Sequence, residues 1–446
     1  MPTVAFQTLG CKVNHYETEA IWQIFKQGGY DQVPYEEDSD VYVINTCTVT
    51  NTGDKKSRQV IRRAVRRNPE AIVVVTGCYA QTSPAEVANI PGVDIVLGTQ
   101  GREQLLSLIE EYRSHREPIN AVKNIMKTRQ FEELEVPDFT DRTRASLKIQ
   151  EGCNNFCTFC IIPWARGLMR SRDPENVLEQ ARKLVAGGYK EIVLTGIHTG
   201  GYGEDLEHYN LAKLLRDLDQ VEGLQRIRIS SIEASQITDE VIDVLRSSDK
   251  MCRHLHIPLQ AGDDQVLKRM RRKYTVEEYR KKIEQIREAM PGVAITTDVI
   301  VGFPGETREL FENGYQFIQD IQFAEMHVFP YSKRTGTPAA KFEHQIPEEI
   351  KNERVQRLIQ LSNHFSLEYS KQFIGDVLDI IPESAYSDDS GEQNLFYGYS
   401  DNYLKVIFKG TPDLIGKMVR IRLDEPGVEF CKGTFLRELD LAALTS

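Results

Sequence analysis

The sequence lacks the features that would place the protein in a membrane or outside the cell. None of its 446 residues belongs to an apolar run of about eighteen or more, which a membrane-spanning helix needs. Its first residues, MPTVAFQTLG, contain neither the basic nor the apolar segment of a secretory signal. We therefore expect a cytoplasmic protein without membrane contact, whose cysteines stay reduced and serve metal binding or catalysis.

A net positive charge is lacking as well, and so are repeats and low-complexity tracts. The formal net charge of −11 argues against a protein that coats nucleic acid with its whole surface, although a local basic face remains possible. Apolar residues make up 40% of the chain and charged residues 27%, which is ordinary for a globular protein of this length. The composition therefore favours a soluble protein of two or three domains.

The first segment, residues 1–113, alternates short apolar runs typical of buried strands with amphipathic helical stretches. The predicted strands cover 4–9, 41–46, 71–77 and 93–98, and the predicted helices lie near 16–28, 53–67, 82–90 and 101–113. This alternation predicts an open parallel sheet with helices on both faces.

Three cysteines follow three of these strands. Cys11, Cys47 and Cys78 are far apart in the sequence, but the carboxyl ends of parallel strands meet at one edge of a sheet. We therefore expect the three thiols to converge. The alternative of three unrelated buried thiols stays open, because no local spacing ties them together.

The rest of the chain predicts a linker and two further domains. Residues 114–144 are polar and without periodicity, which is typical of a linker. Residues 145–374 contain six strand-like runs separated by helical stretches, which predicts an incomplete (βα)6 barrel. After a long charged helix, near 346–373, residues 375–442 show short strands and turns that predict a small β-barrel.

The stretch EGCNNFCTFC directly follows the first strand of the predicted central barrel. It contains Cys153, Cys157 and Cys160, and no fourth cysteine or histidine lies within the next thirty residues. Three thiolates can hold a [4Fe-4S] cluster at three corners and leave the fourth iron free. Zinc is the alternative, although a closed tetrahedral site would need a fourth ligand.

The stretch CNNFCTFC, with an aromatic residue before its last cysteine, resembles the radical S-adenosylmethionine (SAM) superfamily. The resemblance implies that the free iron binds SAM, which an electron cleaves to methionine and a 5′-deoxyadenosyl radical. Further matches lie at later strand ends, in TGIHTGGYG, SSIE and VIVGFPGE. The SAM contacts that the resemblance implies are Phe159, Thr195, Gly196, Ser231, Glu233, Gly302 and Gly305.

Over nearly its whole length the chain resembles one family of that superfamily, the methylthiotransferases. The match lies in LGCKVNHYETE, INTCTVT, TGCYAQ, PLQAGDDQVLKRMRRKYT and HVFPYSKRTGTPA, and the C-terminal barrel resembles the RNA-binding TRAM module. The resemblance implies a second [4Fe-4S] cluster, held by Cys11, Cys47 and Cys78, that carries the sulfur to be transferred. It also implies a reducing electron donor and a sulfur source as partners.

The substrate is indicated by the residues around the first cysteine, GCKVN. They resemble the branch that modifies N6-threonylcarbamoyladenosine at C2, at position 37 beside the tRNA anticodon. The alternatives are isopentenyladenosine in tRNA, an aspartate of a ribosomal protein, and a non-catalytic iron–sulfur module that binds RNA.

Two basic runs give local support for an RNA substrate. KKSRQVIRRAVRRN at 55–68 and KRMRRK at 268–273 would bind phosphates, but each is also typical of a solvated helix face. Further candidates flank the cysteines or accompany tyrosines in the small barrel. These candidate cluster, SAM or substrate contacts are Lys12, Asn14, Asn45, Arg166, Arg170, Lys405 and Arg420.

Overall fold

The computed structural model describes residues 1–136, 143–387 and 392–439. Residues 137–142 of the predicted linker, and residues 388–391 and 440–442 of the predicted small barrel, lie outside the described residues. Within the described ranges, no helix combines the length and the apolar character that crossing a membrane requires.

The N-terminal part is a six-stranded parallel sheet in the order β2-β1-β3-β4-β5-β6. Its two central strands are buried at every residue, because helices cover both faces. This confirms the predicted open α/β sheet. The strands are β1 (Thr3–Thr8), β2 (Asp31–Val33), β3 (Val41–Thr46), β4 (Ile72–Gly77), β5 (Ile95–Val96) and β6 (Ile119–Asn120), and the helices are α1 (Lys12–Gln27), α2 (Asn51–Arg67), α3 (Cys78–Thr82), α4 (Pro84–Ala88) and α5 (Leu105–His115).

Two details of this sheet differ from the expectation. The stretch expected as one helix near 82–90 is two short helices, because Ser83 leaves the helical conformation and Pro84 begins α4. The segment 114–144, expected as a linker, supplies the edge strand β6, which pairs with β5 through Ile95 and Ile119. A two-residue strand has too little periodicity to be visible in the sequence.

The central part contains six parallel strands in two three-stranded sheets, β11-β10-β7 and β12-β13-β14. A parallel bridge between Ile227 and Met251 joins the two sheets, and the predicted incomplete barrel is thereby confirmed. A separate antiparallel ribbon pairs β8 with β9. The strands are β7 (Ala145–Lys148), β8 (Gln150–Glu151), β9 (Arg170–Ser171), β10 (Glu191–Thr195), β11 (Arg226–Ile229), β12 (His254–His256), β13 (Ala294–Val301) and β14 (Glu325–Pro330), and the helices are α6 (Ile162–Arg166), α7 (Pro174–Ala186), α8 (Leu211–Asp219), α9 (Asp239–Ser247), α10 (Asp264–Met270), α11 (Val276–Ala289), α12 (Arg308–Ile321) and α13 (Glu348–Lys371).

Side chains alternate between the two faces of each barrel strand. On β10, Ile192 and Leu194 point outward and join the core formed with the surrounding helices. The alternate positions point inward and are largely polar, as with Glu191 on β10, Arg228 on β11 and His256 on β12. The interior of the barrel is therefore lined by groups that can bind ions or polar ligands.

The C-terminal part is a closed five-stranded barrel in the order β15-β16-β17-β19-β18, which confirms the expected small β-barrel. Its core contains Ile380, Val406 and Ile421. The strands are β15 (Val377–Tyr386), β16 (Leu395–Ser400), β17 (Lys405–Lys409), β18 (Val419–Glu425) and β19 (Cys431–Glu438).

Two arginines of β11 fix the small barrel to the base of the central barrel. Arg226 donates to the main-chain oxygen of Asp379 at 2.5 Å, and Arg228 donates to the oxygens of Ser400 and Asp401 at 3.1 Å each. Glu191 accepts from Arg228 at 2.6 Å. Burial alone would raise the pKa of Glu191, but Arg228 and Arg144 outweigh burial and lower it to about 2.

We predict that Arg228→Met weakens this docking. The substitution removes one donor from the Ser400 and Asp401 carbonyls and removes the nearest cation of Glu191, which keeps Arg144 at 3.6 Å and Arg226 at 3.7 Å. We therefore expect a loss of stability below the roughly 3–5 kcal/mol that leaving a buried charge without any partner costs. The exposed Arg246, which pairs with Asp243 on the surface of α9, gives the control: Arg246→Met should change stability by about 0.5 kcal/mol or less. Anaerobic thermal unfolding measures both, and equal effects of the two variants would contradict the docking role.

Candidate functional site

The structure brings Cys11, Cys47 and Cys78 together at the carboxyl edge of the N-terminal sheet. Cys47 and Cys78 directly follow β3 and β4, which pair in register up to Thr46 and Gly77. Cys11 precedes α1 and follows Gly10 in the chain. A Cβ on Gly10 would come within 3.1 Å of the Cys47 Sγ, so this part of the chain, including Cys11, lies next to Cys47. We call these three residues the N-terminal trio.

Glycine is required immediately before two of these cysteines. Gly10 and Gly77 have φ values of +109° and +94°, which side chains rarely tolerate. A Cβ on Gly77 would lie 2.4 Å from Asn45 Oδ1 and 2.6 Å from the main-chain oxygen of Thr46. The close approach of the strand ends, and hence of the thiols, depends on these missing side chains.

Cys153, Cys157 and Cys160 form the second group, which we call the central trio. They lie on the loop that connects β8 to β9. A hydrogen bond from the main-chain amide of Cys153 to the main-chain oxygen of Gly167, 3.1 Å long, closes this loop. Within the loop, the Asn155 amide donates to Cys153 Sγ at 3.5 Å. The sequence folds this way because Gly152 and Gly167 both take left-handed conformations at the two ends of the loop.

Burial keeps most of these thiols protonated when no metal is present. It raises the pKa of Cys78 and of Cys160 to about 12 and that of Cys153 to about 11. A metal ligand must be a thiolate, so metal binding would release protons and would become more favourable as the pH rises.

The number of ligands bears on zinc as the alternative. A closed zinc site is tetrahedral and needs four ligands, whereas each cysteine trio supplies three. Three thiolates are the ligand set of a [4Fe-4S] cluster with one open iron, so the trios favour such a cluster over a structural zinc ion.

Each trio has one arginine that donates to a sulfur. Arg166 Nε lies 3.1 Å from Cys78 Sγ, and Arg272 Nη1 lies 3.3 Å from Cys157 Sγ. Hydrogen bonds to cluster sulfurs and nearby charge set the reduction potential of an iron–sulfur cluster. The two arginines would therefore supply positive charge to a cluster held by three thiolates, which is anionic.

Arg166 also connects the two trios. It follows Cys160 at the end of α6, yet it reaches the N-terminal domain, where it donates to Asn14 Oδ1 at 2.5 Å and to Glu17. Glu17 lies on α1 and also binds Arg102 at 2.8 Å and Lys148 at 2.8 Å. This buried ion network fixes the N-terminal sheet against the first strand of the central barrel.

Several of the expected contacts are held by protein groups in the structure. Arg166 and Arg170, expected to pair with the SAM carboxylate or a phosphate, are both buried, and Arg170 donates to the main-chain oxygens of Leu168 and Arg166. Asn14 and Asn45 are buried as well, and their amides tie α1 to the strand ends. All four side chains are held by protein groups and hold the trios in place, rather than facing solvent.

Of the expected SAM contacts, Glu233 and Phe159 lie beside the central trio. Glu233 accepts from Asn155 and from Arg272 at 3.0 Å each. The ring of Phe159 packs edge-on against that of Phe303, with the ring centroids 6.4 Å apart. Gly302 and Gly305, on the loop that follows β13, have φ values of +70° and +84°.

The other expected SAM contacts are Thr195, Gly196 and Ser231, which lie at the ends of β10 and β11. The Thr195 hydroxyl donates to its own strand at Val193, and Gly196 packs against Gln150. Ser231 is partly exposed after β11.

The remaining candidates are Lys12, which lines a cavity between domains, and two residues of the small barrel. Lys12 is exposed and lines a cavity of about 240 Å³ shared with Arg144, Ser146 and Tyr397, between the N-terminal sheet and both barrels. Lys405 lies over the Phe430 ring at 3.8 Å, and Arg420 forms a half-exposed pair with Asp379 at 3.2 Å. None of these positions adjoins a cysteine trio except that of Lys12.

Two functional features escaped the sequence analysis. Arg272 belongs to a run interpreted as a phosphate-binding patch, and nothing in that run distinguishes the one arginine that turns inward. Lys148 did carry a signal, since it is a charge within an otherwise strand-like run. A buried lysine implies a buried partner, which is Glu17.

Comparison with known proteins adds family relationships. Residues 147–318 match the model of the radical SAM superfamily, and residues 3–98 match that of an uncharacterised protein family, UPF0004. A Bacillus subtilis protein named threonylcarbamoyladenosine tRNA methylthiotransferase MtaB is 66% identical and covers 99% of this chain and 98% of its own. A protein of the same name from Aquifex aeolicus is 42% identical, over 94% of this chain and 99% of its own.

Two other matches are more distant. The tRNA-2-methylthio-N(6)-dimethylallyladenosine synthase of Carboxydothermus hydrogenoformans is 37% identical, over 94% of this chain and 96% of its own. Among solved structures, the radical SAM methyltransferase TsrM of Kitasatospora setae, with cobalamin and a [4Fe-4S] cluster bound, has a TM-score of 0.58. It is 15% identical over 87% of this chain and 82% of its own, so this likeness concerns the fold alone.

We predict that Gly77→Ala disrupts the N-terminal trio. With φ +94° and ψ −163°, Gly77 lies in a region that glycine alone adopts readily, which costs an alanine about 1–3 kcal/mol, and the added methyl would also push β3 and β4 apart. Gly29→Ala is the matched control, because Gly29 has a φ of +79° with nothing within 4 Å of the added carbon. Thermal unfolding and iron uptake under anaerobic conditions measure both effects. Equal losses in the two variants would show that the close approach at Gly77 is unimportant.

Proposed function

Because the chain belongs to the radical SAM methylthiotransferases, we propose that it replaces the C2 hydrogen of N6-threonylcarbamoyladenosine 37 in tRNA by a methylthio group. The observation that carries this proposal is the 66% identity, over nearly the full length of both chains, to a protein named for that substrate. The relative named for dimethylallyladenosine is 37% identical over a similar length.

The superfamily implies SAM and a [4Fe-4S] cluster, and we propose that the central trio holds that cluster. Its three cysteines, the neighbouring Glu233 and the arginine on Cys157 fit a cluster with one open iron for SAM. We further propose that the N-terminal trio holds a second [4Fe-4S] cluster. When bound, these cofactors supply the radical that removes the hydrogen and the sulfur group that replaces it.

The protein's own residues orient the two centres. Glu17, with Arg102, Lys148 and Arg166 around it, holds the N-terminal sheet on the central barrel, so the distance between the two trios is set by buried ion pairs. Such fixed geometry favours the approach of one substrate atom to both centres. Expected partners besides tRNA are a reducing electron donor and a sulfur source.

Exposed apolar side chains near the trios suit an unstacked nucleobase. Trp164 lies on α6 directly after the central trio and is 49% exposed, while Phe329 near the end of β14 is 50% exposed. Val49, just after Cys47, is exposed as well. Bases of single-stranded RNA stack on aromatic side chains, so these residues support a site for a splayed adenosine.

Phosphates of the tRNA would meet the basic face of α2, which begins just after Cys47. Its exposed cations are Lys55, Lys56, Arg62, Arg63, Arg66 and Arg67. Arg58 on the same helix is instead paired with Glu86 at 3.0 Å. We propose the division into an N-terminal domain at 1–113, a linker at 114–144, a radical SAM domain at 145–374 and an RNA-binding barrel at 375–442, with β6 as a strand that the linker contributes.

The substrate is tested with purified tRNA. We expect the anaerobically reconstituted protein, given SAM and dithionite, to convert N6-threonylcarbamoyladenosine in tRNA to its 2-methylthio derivative, as seen by mass spectrometry of the nucleosides. Transfer RNA without the threonylcarbamoyl group is the control and should remain unmodified. Methylthiolation of isopentenyladenosine, or of a ribosomal protein with no change in tRNA, would refute the proposed substrate.

The two clusters are tested by counting iron. We expect about eight irons per chain from two four-iron clusters, and half of that when either trio is replaced by alanine. Loss of the central trio should abolish cleavage of SAM, whereas loss of the N-terminal trio should leave cleavage detectable. Cys252→Ala and Cys431→Ala, which change buried cysteines outside both trios, should keep all the iron. Full iron without the N-terminal trio would refute the second cluster.

A further inference from the structure

Three potential metal ligands meet inside the central barrel, on strands that carry no cysteine ligand. His256 ends β12, Asp298 lies within β13 and His327 lies within β14. Their ligand atoms all lie within 4.8 Å of one another. We call these residues the lumen triad.

The distances within the lumen triad suit one shared ion. His256 Nε2 lies 3.3 Å from Asp298 Oδ2, and His327 Nδ1 lies 3.2 Å from Asp298 Oδ1. An ion with bonds of about 2.0–2.2 Å to imidazole nitrogen and carboxylate oxygen needs ligand atoms separated by about 3–4 Å. The triad therefore requires only small side-chain rotations to close on a metal.

The second nitrogen of each histidine has its own partner. His256 Nδ1 lies 3.0 Å from the Thr296 hydroxyl, and His327 Nε2 lies 3.7 Å from Glu325 Oε1. Metal-binding histidines commonly have such an outer partner, which orients the ring and fixes which nitrogen faces the metal. Here both partners leave Nε2 of His256 and Nδ1 of His327 facing Asp298.

The charges of the site favour a cation. Asp298 and Glu325 bring two negative charges to the two imidazoles and the nearby Lys405 brings one positive charge, so neutral histidines would leave the group with a charge of −1. A divalent cation would compensate that charge. The triad also remains accessible to solvent, since the side chain of His327 is 50% exposed and that of Asp298 is 29% exposed.

We propose that His256, Asp298 and His327 bind a divalent transition metal of the zinc class inside the central barrel. Two histidines and one carboxylate are a ligand set that binds such metals and leaves coordination positions open. The site is separate from both cysteine trios and has no sulfur ligand. Its open coordination positions would accept oxygen atoms of a ligand.

The test is zinc binding by the protein with both cysteine trios loaded with iron. Equilibrium dialysis against zinc chloride, followed by elemental analysis, should give one zinc per chain in addition to the iron. Thr296→Val removes an outer partner of His256 and should lower the affinity for zinc by roughly 10–100-fold. His327→Gln and Asp298→Asn each remove a ligand and should lower the affinity by more than that. His327 is half exposed, so its replacement should not impair folding.

His115→Gln, which changes an exposed histidine at the end of α5, is the matched control and should bind zinc like the unchanged protein. X-ray absorption should show nitrogen and oxygen neighbours at about 2.0–2.1 Å and no sulfur at about 2.3 Å. Zinc–sulfur bonds, zinc binding that survives His327→Gln, or no zinc at all would each overturn the proposal. In the last case, the triad is a hydrogen-bonded group without metal.

Discussion

The arrangement of the two cysteine trios depends on one buried carboxylate, that of Glu17. Burial by itself would raise its pKa, but Arg102, Arg166 and Lys148 hold the pKa well below its usual range. The four charged groups come from three separate parts of the chain: α1, the segment before α5, and the first strand and cysteine loop of the central barrel. Removal of one member would leave an uncompensated buried charge, which costs about 3–5 kcal/mol. Neither domain can shift on the other without disturbing this network.

The Glu17 network reaches both cysteine trios through Arg166. This arginine belongs to the loop of the central trio, yet its Nε donates to a sulfur of the N-terminal trio. Outside that network, Arg272 donates to Cys157 and is itself held by Glu233. Both trios therefore combine buried thiols, whose pKa burial raises, with a fixed cation. An anionic cluster that displaced the thiol protons would meet this cation already in place.

The sequence was sufficient to predict the three strands that lead to the N-terminal trio and all six strands of the central barrel, but not the ribbon of β8 and β9 that encloses the central trio. Strong period-2 or fully apolar runs such as VYVINT leave little ambiguity, and the glycine–cysteine pairs at strand ends mark the site. Sequence could not reveal which charged residues turn inward. Arg166 and Arg272 look like surface residues of basic segments, because their partners Glu17 and Glu233 lie far away in the chain. The lumen triad was missed for the same reason: its members lie on three different strands, and no local spacing connects them.

The small barrel is docked through main-chain oxygens and through a few side chains. Arg226 and Arg228 contact the backbone of Asp379, Ser400 and Asp401. The side chain of Asp401 also binds Arg253 at 2.7 Å, and the ring of Tyr403 stacks on that of His254. The main-chain part of this attachment does not depend on which side chains the small barrel carries, whereas the side-chain part does. Sequence drift in the small barrel is therefore free only where a residue contributes its backbone alone to the attachment.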